Sequence, residues 1–276
     1  MSITRRCFLA AAALASAAAR SYGFRIGVTD WNLRLTGKPD AVSLASRLGF
    51  EGVEVSLGRK PVDDKLPLDN SELQAQYLDA AAKQRIKLAG TCLDILHVNY
   101  LKNDKLGQKW LADGIPITKK LNARVMLLPF FGKGALQTQA EKDYVGDVLR
   151  ELGPEAEKQG VILGLEDTIS AEDNVRIMER SRSKAVLTYY DIGNSTVQGF
   201  DVVREIRWLG KKRICQMHLK DNPNYLGDGK IDIGAVLKAM RDIDFSGFAN
   251  LETSTPSNNV EADMKRNLTY LHRLLA

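Results

Sequence analysis

The chain has 276 residues, of which 44% are hydrophobic and 26% charged, enough apolar material for a sizeable core and an ordinary charge level for a water-facing protein. Its formal net charge is +5, yet no basic run or aromatic-basic interleaving points to a nucleic-acid partner. Three cysteines in this length exclude a disulfide-stapled framework.

The first twenty residues, MSITRRCFLAAAALASAAAR, hold Arg5 and Arg6, an apolar run from Phe8, and small residues suited to cleavage near Ala17 to Ala19. That is the layout of an export signal, with an apolar stretch too short to span a bilayer. The Thr-Arg-Arg-Cys-Phe-Leu order resembles a bacterial twin-arginine signal and predicts an exported, periplasmic protein. Residues 1–19 then form the signal and 20–276 the domain, with no stable membrane anchor. Loss of the signal removes two arginines and no acid, so the net charge falls from +5 to +3. Cys7 leaves with it, while Cys92 and Cys215 lie in apolar runs and read as core residues.

Beyond the leader, short apolar or β-branched runs alternate with helix-length segments. The predicted strands are 24–31, 52–57, 87–95, 123–130, 161–167, 185–191, 213–220 and 248–254. Between them lie amphipathic stretches such as DAVSLASRLGF, NSELQAQYLDAAAKQRI and EKDYVGDVLRELGPEAEKQG, whose apolar residues recur every three or four positions. Glycine in "RLGF-EGVEV" and "EKQG-VILGL" stands where a helix C-terminal cap is expected. Eight strands separated by helices are what a single (β/α)8 TIM barrel of the α/β class requires. The phosphate fingerprint G-x-G-x-x-G of a doubly wound sheet is absent.

In such barrels the chemistry sits at the C-terminal strand ends. Two-residue alternation puts Ile162, Gly164 and Glu166 on one face of the fifth strand and Leu187, Tyr189 and Asp191 on one face of the sixth. The seventh strand gives Ile214, Gln216 and His218, with Lys220 one step further out, and the eighth gives Phe248, Asn250 and Glu252. One carboxylate at a strand end can simply cap the next helix, and one strand histidine can be a hydrogen-bonded core residue. Four such groups in register on consecutive strands are harder to explain without a ligand, because gathering unpaired carboxylates is costly. Glu166, Asp191, His218 and Glu252 are therefore the candidate ligands of one divalent metal ion. Three carboxylates and one imidazole suit Mn²⁺, Mg²⁺ or Co²⁺, with Zn²⁺ also compatible, and the lack of thiolates argues against a structural zinc site.

The segments GLED, YYDIGN, MHLKD and GFANLET around these four residues resemble the xylose isomerase-like TIM-barrel family, the superfamily of sugar isomerases, sugar epimerases and family 2 AP endonucleases. LGDGKIDIGAVLKAM adds the family's Gly-x-Gly segment before the last helix, and the likeness runs over about residues 24–275. It implies a metal-dependent sugar isomerase or epimerase. In it, Glu166 and Glu252 would move a proton at the carbon next to a carbonyl, through a metal-bound enediolate. A lyase or dehydratase acting on keto-sugars or inososes, including 3-keto-glycoside cleavage, would use the same four ligands. A non-catalytic binding protein would not need the glutamate pair, and a repair endonuclease would carry more histidines. The expected partner is a small carbohydrate, and a homo-oligomer is compatible with the reading.

Ketose 3-epimerase members carry a histidine where this chain has Asn194, and an arginine in the loop that here reads DNPNYLGDG. Asn194, Lys220, Trp31 and His97 are the candidate substrate-binding residues. Each also has a plainer role open to it: Lys220 a rim salt bridge, Trp31 core packing. His272 reads as a surface residue, and PFFGKG (129–134) as a pocket wall or lid whose phenylalanines pack.

Overall fold

The computed structural model describes residues 22–276, so the predicted export signal lies outside the described residues. All eight expected strands form: β1 (Arg25–Thr29), β2 (Gly52–Ser56), β3 (Lys87–Cys92), β4 (Val125–Pro129), β5 (Ile162–Glu166), β6 (Val186–Asp191), β7 (Ile214–Leu219) and β8 (Phe248–Leu251). They pair in parallel, each with its sequence neighbour, and β8 closes on β1. The result is a (β/α)8 barrel, in which closure leaves no free sheet edge.

The connecting helices are α1 (Asp40–Leu48), α2 (Ser71–Gln84), α3 (Lys105–Lys120), α4 (Gln139–Gln159) and α5 (Ala171–Ser181). They continue with α6 (Ile192–Val197), α7 (Val202–Leu209), α8 (Ile233–Asp242) and α9 (Val260–Leu275). Their limits follow local chemistry. Asn70 caps α2 by accepting from the Leu73 N–H, and α4 opens on a reciprocal box between Thr138 and Glu141. Gly49 and Gly160 end α1 and α4 in the left-handed region, at φ 100° and 70°. None of the described helices is long and apolar enough to cross a membrane.

Most of the apolar core lies between the barrel's outer face and the helices, for example Val53, Met126, Leu165 and Met217. A smaller cluster fills the interior: Cys92, Val125, Leu127 and Tyr189, with Trp31, Ile162 and Cys215 against it. Both cysteines are free, and both serve packing. One expectation fails here. Thr188 pairs with Ile214 but Tyr189 pairs with Gln216, so Cys215 is an extra, unopposed residue. The bulge sends Ile214 to the outer core and turns Cys215 inward, while Gln216 and His218 keep the predicted facing.

Candidate metal and catalytic site

Four consecutive strands deliver the four predicted ligands to one point. Glu166 ends β5, Asp191 ends β6, His218 is the penultimate residue of β7, and Glu252 follows β8 directly. The Glu252 N–H donates to the Leu219 carbonyl at 3.1 Å, which holds it in strand register. One ligand atom from each residue lies within 4.8 Å of those of the other three. His218 Nδ1 is the hub, 2.9 Å from Glu166 Oε1, 3.5 Å from Glu252 Oε2 and 3.6 Å from Asp191 Oδ2.

Electrostatics follow from that crowding. Burial drives Glu166 up to about 8 even though His218 opposes the shift. Burial pushes Asp191 the same way, but the Lys220 ammonium and His218 overcome it and hold its carboxyl below the usual range. Burial disfavours the His218 imidazolium, yet Glu252 and Glu166 outweigh it and raise the ring's pKa. Lys220 is likewise kept charged against its burial by Asp191, Glu252 and Glu166.

The donor set fits a divalent cation on two observations. When all are ionised, Glu54, Glu166, Asp191 and Glu252 face only His218 and Lys220, an excess of two negative charges in a nearly dry space. Asp191 Oδ2 is also buried without a hydrogen bond of good geometry, although Lys220 Nζ is 2.7 Å away. Hard oxygen ligands plus one imidazole are a set that suits a divalent ion.

The secondary residues fall into two groups. Lys220, Trp31 and Asn194 contact the ligands themselves. Lys220 Nζ donates to Glu252 Oε2 at 2.5 Å, so its salt bridge lies inside the site rather than on the rim. Trp31 Nε1 donates to Glu252 Oε1 at 3.0 Å, and its ring meets His218 edge-on. The Asn194 side-chain amide donates to Glu166 Oε1 at 3.3 Å, and its backbone N–H to Asp191 Oδ1, which makes Asp191 the cap of α6. His97 stays apart. It ends a short 3-10 turn at 94–97 and stacks on Phe131 at 6.2 Å, and burial then Arg59 lower its pKa. Phe130 is buried, and His272 is exposed on α9.

Three acids on or just after the first three strands were not among the predicted residues. Glu54, the central residue of β2, is fully buried and reaches His218 Nε2 at 3.0 Å. Asp30 accepts from the Gly37 and Ser56 N–H groups, and burial raises it to about 8. Asp94 bonds the Ser56 hydroxyl and is raised by burial to about 6. The usable signal was a lone carboxylate inside the apolar run GVEVSL, whose burial demands a partner. Alternation cannot say which partner.

The model of the family described as xylose isomerase-like TIM barrel matches residues 42–274. The chain belongs to that family. A 2-epi-5-epi-valiolone 7-phosphate 2-epimerase from an Actinoplanes species is 26% identical over 230 residues, covering 79% of this chain and 82% of the relative. Among solved structures, a D-psicose 3-epimerase from Clostridium cellulolyticum H10, crystallised with D-tagatose, superposes with a TM-score of 0.77 at 15% identity. That match covers 91% of this chain and 99% of the other. A 3-keto-D-glucoside 4-epimerase from E. coli superposes with a TM-score of 0.73, also at 15% identity and with the same coverage. At such identity the two superpositions speak for the fold.

Proposed function

We propose that this protein is a metal-dependent carbohydrate epimerase or isomerase that moves a proton at the carbon next to a carbonyl. The observation that carries the reading is the placement of Glu166 and Glu252. They come from β5 and β8, which bracket the ligand strands β6 and β7, and both face His218 Nδ1, at 2.9 and 3.5 Å. The curated relative, itself a 2-epimerase, supports the same class.

Glu166, Asp191, His218 and Glu252 would hold the divalent ion, which when bound supplies positive charge beside oxygens that become negative as the proton leaves. The chain's own groups do the rest. One glutamate takes the proton, the C–H electron pair becomes a C=C bond as the carbonyl π pair moves onto oxygen, and the other glutamate, itself protonated, returns a proton to the opposite face or the neighbouring atom as the C=O re-forms. Trp31 and Lys220 each fix one oxygen of Glu252, so its carboxylate cannot rotate freely. Asn194 does the same for Glu166. Burial of these groups excludes the water that would otherwise screen them.

A second reading, a keto-sugar lyase, is favoured by Lys220. Its half-buried ammonium stands 2.5 Å from Glu252, placed to donate a hydrogen bond to a departing oxygen after the same first step. One experiment separates the two. Purified protein supplied with Mn²⁺, Mg²⁺ or Co²⁺ is incubated in D₂O with ketoses, inososes and 3-keto-glycosides. The epimerase reading expects one deuterium next to the carbonyl in an isomeric product; the lyase reading expects an eliminated fragment. No exchange with any of these sugars removes both. Residues 1–19 are further proposed to direct export, which a variant with Arg5→Lys and Arg6→Lys should leave in the cytoplasm on fractionation.

A further inference from the structure

Glu54 lies in the middle of β2, on the side of the barrel that contributes none of the four ligands. Its Oε2 gathers three partners: the Tyr189 hydroxyl at 2.7 Å, His218 Nε2 at 3.0 Å and the Asn250 amide at 3.2 Å. Its Oε1 is buried with no hydrogen bond. The network is braced beyond these contacts. Asn250 also reaches the Tyr189 hydroxyl at 2.7 Å and Gln216 at 3.1 Å, and Gln216 donates to the Ala89 carbonyl at 2.6 Å. Room for it depends on Gly27, where a Cβ would lie 2.0 Å from Asn250 Oδ1.

An aliphatic side chain would fill this barrel layer at less cost than a desolvated carboxylate. What an aliphatic residue cannot do is hold the far nitrogen of a ligating imidazole. Resting on the metal reading above, we propose that Glu54 is the positioning residue of the metal centre. By holding the proton on His218 Nε2, it aims the Nδ1 lone pair among Glu166, Asp191 and Glu252 and adds negative charge behind the ring. Tyr189 fixes Oε2 and also packs its ring on His218 at 4.6 Å, so imidazole and carboxylate are set together.

The test measures metal affinity rather than turnover alone. Full-length wild type, Glu54→Gln, Glu54→Leu and His218→Ala are titrated with Mn²⁺ and Co²⁺ by calorimetry, and their metal-free thermal midpoints are recorded. Wild type should bind one ion and His218→Ala should bind none tightly. Glu54→Gln should weaken binding about tenfold to a hundredfold and shift the visible Co²⁺ spectrum. Glu54→Leu should lose as much affinity or more while its thermal midpoint holds or rises. A purely structural Glu54 would give the reverse: a lowered midpoint in Glu54→Leu, with affinity within about twofold of wild type in both variants, and that result overturns the proposal. If wild type binds no ion, the metal reading itself falls and takes this proposal with it; if only His218→Ala loses binding, the metal reading stands and the role of Glu54 does not.

Discussion

At the C-terminal end of the barrel, Glu166, Asp191, His218, Lys220 and Glu252 interlock through contacts of 2.5 to 3.6 Å, and none is more than one-fifth exposed. At the opposite end, Arg25, Lys87, Arg124 and Lys211 line a cavity of about 590 Å³ and make no ion pair among the described residues. The second site is a hollow whose cations are exposed, where charge keeps its hydration and needs no partner. The first has charge taken out of water, which is tolerated only where the groups have partners to bind. Desolvated, converging charge sets the candidate site apart from the other end of the barrel.

The largest expected effect that would sharpen this contrast is on turnover. Glu166→Gln and Glu252→Gln should each lower kcat by about 10²- to 10⁴-fold on the sugar that exchanges deuterium. Full turnover with metal bound would remove the catalytic pair. Next is Lys220→Met, which strands Asp191 and Glu252 without their cation. In urea unfolding it should destabilise the metal-free protein by about 3 kcal/mol, and excess Mn²⁺ should restore part of that loss.

The pH dependence tests a buried acid outside the ligand set. Asp30 keeps its proton in the folded chain up to about 8 but loses it near 4 when unfolded. Between those values the folded state binds the extra proton, so this group's contribution to stability falls as pH rises, by at most about 1.4 kcal/mol per pH unit. Asp30→Asn should remove that slope; equal slopes for both proteins between pH 5 and 8 would contradict it.

Smaller effects follow. Trp31→Phe keeps the ring but loses the bond to Glu252, and kcat should fall about tenfold with metal affinity little changed. Least of all, Lys87→Ala and Arg124→Ala at the far end should alter stability by less than about 0.5 kcal/mol and leave turnover within twofold. A large loss there would break the comparison.

The barrel was legible because each strand is a short apolar run and each helix carries its own start or stop, as Asn70, Gly49 and Gly160 do. The four candidate ligands were legible for a related reason: period-two alternation ends Glu166, Asp191, His218 and Glu252 on the same side. What the sequence left open has one source, the pairing of strands. Cys215 turns inward because of a register shift between β6 and β7, a property of the pair and not of either strand. Lys220 meets Asp191 and Glu252 because β7 lies between β6 and β8, and Trp31 meets Glu252 across 221 positions because the barrel closes β8 onto β1.

By itself, then, the amino-acid order determined what local chemistry controls: the alternation of strand and helix, the caps, and the residue type at each strand end. Closure decided the rest. Glu54 sits 164 positions from His218, and no periodicity within β2 names an imidazole on β7 as its partner. Burial forces the carboxylate to find a hydrogen-bond donor, and only the folded barrel sets which donor is within 3.0 Å.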